Sequence, residues 1–142
     1  RPLPLEDNSV DRILTEHFLE HTTPADMEKI LNEFHRVLKP GGIVRAAVPD
    51  YNHPRDLPYL KKGSDPRHTD HFTLTTYSKI KDIVSRTRFQ TAHFYQYWDE
   101  SSNFVYSSVD YSLGHIKRTP DNDPRCKMPS RFLKRAEIHV SN

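Results

Sequence analysis

Residues 36–50 read RVLKPGGIVRAAVPD, and their order decides the fold. Over TTPADMEKILNEFHRVLKPGG, residues 22–42, the apolar residues Met27, Ile30, Leu31, Phe34, Val37 and Leu38 recur at three-four spacing. That spacing predicts a helix with one buried face. Thr23 suits the N-cap, Pro24 the first helical position, and Asp26 can face back at the cap. Lys39-Pro40-Gly41-Gly42 should stop the helix, with a basic last turn followed by residues that cannot continue it. Ile43 to Val48 is then a short, nearly continuous apolar run, as expected of a strand covered on both faces. On the other side of the helix, SVDRILTE carries Val10, Ile13 and Leu14 after the turn-like EDNS, and reads as a buried strand. Strand, helix and strand with short joints make a βαβ unit with a parallel pair, hence an α/β fold.

Further along, residues 51–72 are rich in Pro, Asp and basic residues without a period, and read as a long loop. TLTTYSKIKDIVSRTRF predicts a second helix, capped by Thr75 or Thr76, with an apolar stripe of Tyr77, Ile80, Ile83 and Val84. QTAHFYQYW reads as an aromatic strand. Residues 99–131 read as an insertion, with one more extended stretch near Phe104 to Tyr106, and RFLKRAEIHVS closes the chain as a strand. The whole, residues 1–142, is one domain's worth of chain.

Composition narrows the class. Only 35% of the residues are hydrophobic, which is low for a core that stands alone. The net charge of +2 comes from interspersed acids and bases, so nothing argues for nucleic acid. The single cysteine, Cys126, excludes an internal disulfide framework and fits a reducing, cytoplasmic compartment. No run is long and apolar enough for a membrane span. Arg1 is not an initiating methionine, and RPLPLEDNSVD reads as the middle of a longer protein.

These pieces carry a resemblance. LPLEDNSVDRILTEHFLEH, the helix ending EFHRVLKPGG, and IVRAAVPD resemble the second half of a class I S-adenosylmethionine-dependent methyltransferase. There an LPF-x-D-x-S-F-D stretch leads into the fourth strand, an LEH-like turn follows it, and a helix ending RVLKPGG leads to a fifth strand ending PD. HTDHFTLTTYSKIKDIVSRTRF resembles the helix before strand six. The resemblance is close over residues 3–98. It implies a partial Rossmann-like sheet retaining the family's strands four, five, seven and six, as a three-layer or two-layer remnant. It implies methyl transfer from S-adenosylmethionine to an oxygen or nitrogen of a small molecule. The family's glycine-rich donor loop has no counterpart, since the four glycines, Gly41, Gly42, Gly63 and Gly114, open no helix after a strand. This chain is therefore expected to be incomplete, inactive alone and a poor binder of the donor. The fourth strand would present an open edge near Asp11–Thr15, to be covered by a homo-oligomer, such as a dimer, or by a missing amino-terminal half.

The candidate residues cluster after strands. His17, Glu20 and His21 follow the fourth strand and are the catalytic candidates, with a histidine as general base. Glu16, His17 and Phe18 lie where the resemblance places the methyl donor. Asp50, Tyr51 and His53 follow the fifth strand and, with His71, are candidates for holding the acceptor. Tyr95, Tyr97 and Trp98 are candidates for stacking, although an aromatic strand is more often core. HFLEH, residues 17–21, also fits H-x-x-E-H, a zinc hydrolase signature that requires a helix through His17, Glu20 and His21. Pro24 and the preceding strand argue for a turn there instead. RHTDH, residues 67–71, has no recognised ligand spacing, so no metal is assigned. The competing reading is a non-catalytic, oligomerising α/β module.

Overall fold

The computed structural model describes residues 2–118 and 136–141. In chain order the elements are β1 (Val10–Glu16), α1 (Pro24–Val37), β2 (Leu38–Val48), α2 (Leu57–Lys62), α3 (Tyr77–Ser85), β3 (Thr91–Trp98), β4 (Phe104–Tyr106) and β5 (Ala136–Ser141). They build one five-stranded sheet in the order β1-β2-β5-β3-β4. β1 and β2 are parallel, whereas β5 pairs antiparallel with both β2 and β3. The first four positions reproduce the expected sequence of strands four, five, seven and six. β4 adds an edge hairpin to β3. Cys126 and residues 131–135 of the expected final strand lie outside the described residues.

Local chemistry sets the helices. Thr23 Oγ1 accepts from the Asp26 N–H at 3.2 Å and donates to Asp26 Oδ2 at 2.8 Å, so the first turn of α1 is capped from both directions. Thr76, rather than Thr75, caps α3, accepting from the Lys79 N–H at 3.3 Å. Met27, Leu31 and Phe34 of α1 pack with Ile80, Ile83 and Val84 of α3 and with Val44, Ala46, Val48 and Val140 of the sheet in one cluster. Both long helices therefore lie on the same face.

The opposite face departs from expectation. Residues alternate across a strand, so Arg45 points away from Val44 and Ala46. It is nevertheless buried, 2% exposed, because residues 111–118 lie over it. Its Nη1 donates to Tyr111 Oη at 3.1 Å and to the Ile116 carbonyl at 2.5 Å. Nearby, Arg118 Nε donates to Glu16 Oε1 at 2.8 Å. The described residues thus form two layers, helices on sheet, with an irregular polar segment over the opposite face.

Two further boundaries differ. Residues 39–42 lie within β2 rather than before it. Val10 pairs with Leu38 and Arg12 with Ile43, so Lys39 to Gly42 bulge out of the ladder. Gly41 takes φ +77°, open to glycine at little cost, and Pro40 sits where no ladder donor is needed. The long loop contains α2, closed by Gly63 at φ +74°. Its six residues are too few to show a period. β1 has a strand on one side only among the described strands, and Leu14 on it is 37% exposed.

Gly42 closes the bulge by contact. A Cβ there would stand 2.8 Å from the Lys39 carbonyl oxygen, 2.9 Å from Leu38 Cδ2 and 3.2 Å from the Asp11 carbonyl oxygen. Gly42→Ala is expected to destabilise the fold by about 1–3 kcal/mol, as overpacking does. The urea midpoint reads this directly, and an unchanged midpoint would show that the bulge opens freely.

Candidate active site at the carboxyl edge of the sheet

Because β1 and β2 are parallel, their carboxyl ends meet at one edge. β1 ends at Glu16. His17 then adopts φ +54°, a left-handed conformation uncommon for a residue with a Cβ, while its N–H holds the Ala47 carbonyl at 3.0 Å. Leu19–His21 form a single 3-10 turn. HFLEH is therefore a turn, and the helix required by the H-x-x-E-H zinc reading does not form.

A third stretch is sewn to both strand ends. The Thr73 N–H donates to the Glu20 carbonyl at 3.1 Å, and Thr73 Oγ1 to the Thr22 carbonyl at 2.6 Å. The Tyr51 N–H donates to the Thr75 carbonyl at 2.9 Å, and Thr75 Oγ1 to the Pro49 carbonyl at 2.5 Å. These four bonds bring His71 beside Glu20 and His21. The result is a cleft of about 520 Å³ whose lining includes His17, Glu20, His21, Asp50, Tyr51 and His71.

Glu20 is the buried centre, with a side chain 1% exposed. Its Oε1 lies 3.2 Å from His17 Nδ1 and 3.9 Å from His21 Nε2. Its Oε2 is buried without a hydrogen-bond partner. His21 Nδ1 lies 3.0 Å from the Asp70 carbonyl oxygen and 3.2 Å from Asp70 Oδ2. Tyr51 Oη lies 2.7 Å from His71 Nδ1 and 3.1 Å from Asp65 Oδ2. Arg67 grips Asp65 at both oxygens, 2.9 and 2.7 Å, and holds its carboxyl down to about 2. Burial, reinforced by Asp65, pushes the Tyr51 phenol up, so it stays protonated. Burial lowers the His71 imidazole, with Glu20 pulling the other way.

Asp50 ties β2 to β3. Its Oδ2 accepts from the Trp98 N–H at 2.6 Å and its Oδ1 from the Asn52 N–H at 3.0 Å. Burial nevertheless pushes Asp50 up to about 6, against the pull of those two donors.

The sequence candidates separate cleanly. His17, Glu20, His21, Asp50, Tyr51, His53 and His71 all line the cleft. Of the donor-edge trio only His17 does so; Glu16 is ion-paired with Arg118, and Phe18 is 46% exposed. Tyr97 stacks on Tyr77 at 4.0 Å, Tyr95 meets His115, and Trp98 lies edge-on to His53 at 4.9 Å, so the aromatic strand serves packing. Asp65 and Arg67 were missed. Their only sequence signal is the turn-forming SDPR, which marks a bend but no chemistry.

Comparison with known proteins bears on the fold. The family described as Methyltransferase domain matches residues 1–46. A SAM-dependent methyltransferase from Thermotoga maritima superposes with TM-score 0.62 at 16% identity, over 98% of this chain and 59% of that one. One from Archaeoglobus fulgidus gives 0.56 at 16%, over 97% and 62%. One from Methanosarcina mazei gives 0.54 at 15%, over 99% and 62%. No curated protein sequence matches the chain. The fold is that of a class I S-adenosylmethionine-dependent methyltransferase, and the chain spans less than two thirds of the structures it superposes on. Among the described residues, no glycine stands at a turn from a strand into a helix: Gly41 and Gly42 lie inside β2, and Gly63 and Gly114 close helical turns. Among the described residues no helix is long and apolar enough to cross a membrane.

Asp50 gives this edge a pH signature. Its carboxyl binds a proton more tightly in the fold, near 6, than in the open chain, near 3.8. Stability should therefore fall as pH rises from about 4 to 6, by an amount on the order of 3 kcal/mol relative to Asp50→Asn. The variant has its own pH-independent cost, because an amide offers one acceptor to two N–H donors. Urea denaturation of both proteins from pH 4 to 7 measures the difference. Parallel profiles would show that Asp50 ionises without penalty.

Proposed function

We propose that this chain supplies the acceptor side of S-adenosylmethionine-dependent methyl transfer to an oxygen or nitrogen of a small molecule. The observation that carries the reading is the His17–Glu20 pair at the turn after β1. Once bound, the donor supplies an electrophilic methyl group on a sulfonium. The work of the chain itself is to hold the acceptor and take its proton. With Nδ1–H donating to the Glu20 carboxylate, the His17 ring carries its lone pair on Nε2, the form a general base needs. Glu20 fixes the tautomer and steadies the imidazolium that forms. Asp50, Tyr51, His53 and His71 shape the opposite wall.

The cradle for the donor belongs, in this reading, to a donor-binding half that pairs with the open edge of β1. Two observations support it. β1 exposes Leu14 and an unpaired ladder edge among the described strands, and edge backbone groups seek a partner strand. The superposed structures also continue for about 40% of their length beyond the match. A second copy of this chain is the competing occupant.

Three measurements test the proposal. Calorimetric titration of this chain with S-adenosylhomocysteine should show no saturable binding at micromolar concentration; micromolar affinity would overturn the division of the site. Light scattering should show a monomer if the edge waits for a donor-binding half, and a dimer if copies pair with each other. In the natural reading frame containing this chain, His17→Ala should lower kcat for transfer of labelled methyl by about 10²–10⁴-fold and leave donor affinity unchanged. Full kcat in that variant would remove His17 as the base.

A further inference from the structure

We propose that Glu20, His21 and His71 bind a divalent first-row transition-metal ion, such as Zn²⁺ or Mn²⁺, in the cleft. One carboxylate and two imidazoles form a donor set suited to such ions. One ligand atom from each of the three lies within 4.8 Å of the others. Ligand atoms about 2.0–2.2 Å from a common ion stand closer than that, so side-chain rotations of roughly an ångström complete the shell.

Two independent features point to an ion. The first is the orphaned oxygen. Glu20 Oε1 is taken by His17, whereas Oε2 is buried and has no hydrogen-bond partner. A buried carboxylate oxygen left so is costly, and a cation beside it removes the cost. The second is the shell behind the histidines. Asp70 lies at His21 Nδ1, through both its carbonyl and its carboxylate, and places the proton on that nitrogen. The Asp65 carboxylate, fixed by Arg67, can only accept, so it takes the single hydroxyl hydrogen of Tyr51. Tyr51 Oη must then accept from His71 Nδ1, since the opposite arrangement sets lone pair against lone pair. Both imidazoles are thereby left with their lone pairs on Nε2. Metal-binding histidines are characteristically backed in this way.

The neighbouring trio His68, Asp70 and His71 also lies within 4.8 Å. It is the weaker site. His68 and Asp70 are exposed and solvated, and Asp70 is already engaged by His21. Three protein ligands would leave open positions facing the cleft. An acceptor hydroxyl could bind there and lose its proton more readily. That role rests on the methyl-transfer reading; the binding of the ion does not.

The test uses the chain without a polyhistidine tag, stripped by chelator and dialysed, then titrated with Zn²⁺, Mn²⁺ and Co²⁺. One ion per chain is expected, with a visible Co²⁺ spectrum of low coordination number. His21→Gln and His71→Gln should each weaken binding by about 10–100-fold, with circular dichroism unchanged, while His68→Gln stays within about twofold. Absence of one-to-one binding would overturn the proposal. So would equal losses from His68→Gln, or an ion lost on His17→Gln and kept on His71→Gln, which would move it to the H-x-x-E-H trio. The titration is read without methyl donor, so failure of the methyl-transfer reading leaves its outcome intact.

Discussion

The parallel pairing of β1 with β2 is the constraint on which the rest depends. Its register runs from Arg12 with Ile43 to Glu16 with Ala47, and it forces the chain to cross over through α1. The crossover buries Met27, Leu31, Phe34 and Val37, which anchors the helical layer. It also delivers two strand ends to the same edge, and open α/β sheets bind their ligands outside the carboxyl ends of their strands. An antiparallel pair would have placed HFLEH and PDYNH at opposite ends of the sheet. The His17 N–H bond to Ala47 then carries the ladder one residue past β1, and the left-handed backbone of His17 turns the chain into the cleft.

The remaining wall depends on threonines. Thr73 and Thr75 alternate between the two strand ends, one bonded to the turn after β1 and the other to the end of β2, and both are buried. Side chains that hydrogen-bond backbone carbonyls can order an irregular segment without a sheet ladder. This explains how residues 51–75 cross a polar region and still place His71 closely. The intervening turn is held by Asp65, whose carboxylate joins Arg67 to Tyr51.

Much of the scaffold was legible because the sequence pattern and the structure obey the same local rules. The α1 stripe, the Thr23 cap and the apolar run of β2 each follow from spacing and capping alone. Strand order came from the family resemblance, since pairing between distant strands such as β5 and β3 leaves no short-range signal. The site was legible only in part. His17, Glu20 and His21 adjoin in sequence and announced themselves. His71 lies fifty residues from His21, so their meeting is a tertiary fact, fixed by the threonine bonds. Asp65 and Arg67 were invisible for the same reason, as Asp-Pro-Arg reads only as a turn. Arg45 misled in the other direction. Inside an apolar run it suggested nothing polar, yet the face it occupies is closed by residues 111–118.

That face and the cleft show how the molecule divides its chemistry. The main hydrophobic cluster lies between α1, α3 and the sheet, where dispersion and the hydrophobic effect act together. The buried charged groups lie elsewhere: Arg45 and Arg118 on the opposite face, and Glu20, Asp50 and Asp65 along the carboxyl edge. On that face Arg45 bonds the hydroxyl of Tyr111 and the carbonyl of Ile116, and Arg118 bonds the carboxylate of Glu16. At the edge compensation is incomplete. Asp50 is held ionised against its burial, and one oxygen of Glu20 has nothing to bond. Asp50 and Glu20 stand at the carboxyl end of the parallel pair of β1 and β2, the edge at which open α/β sheets bind their ligands.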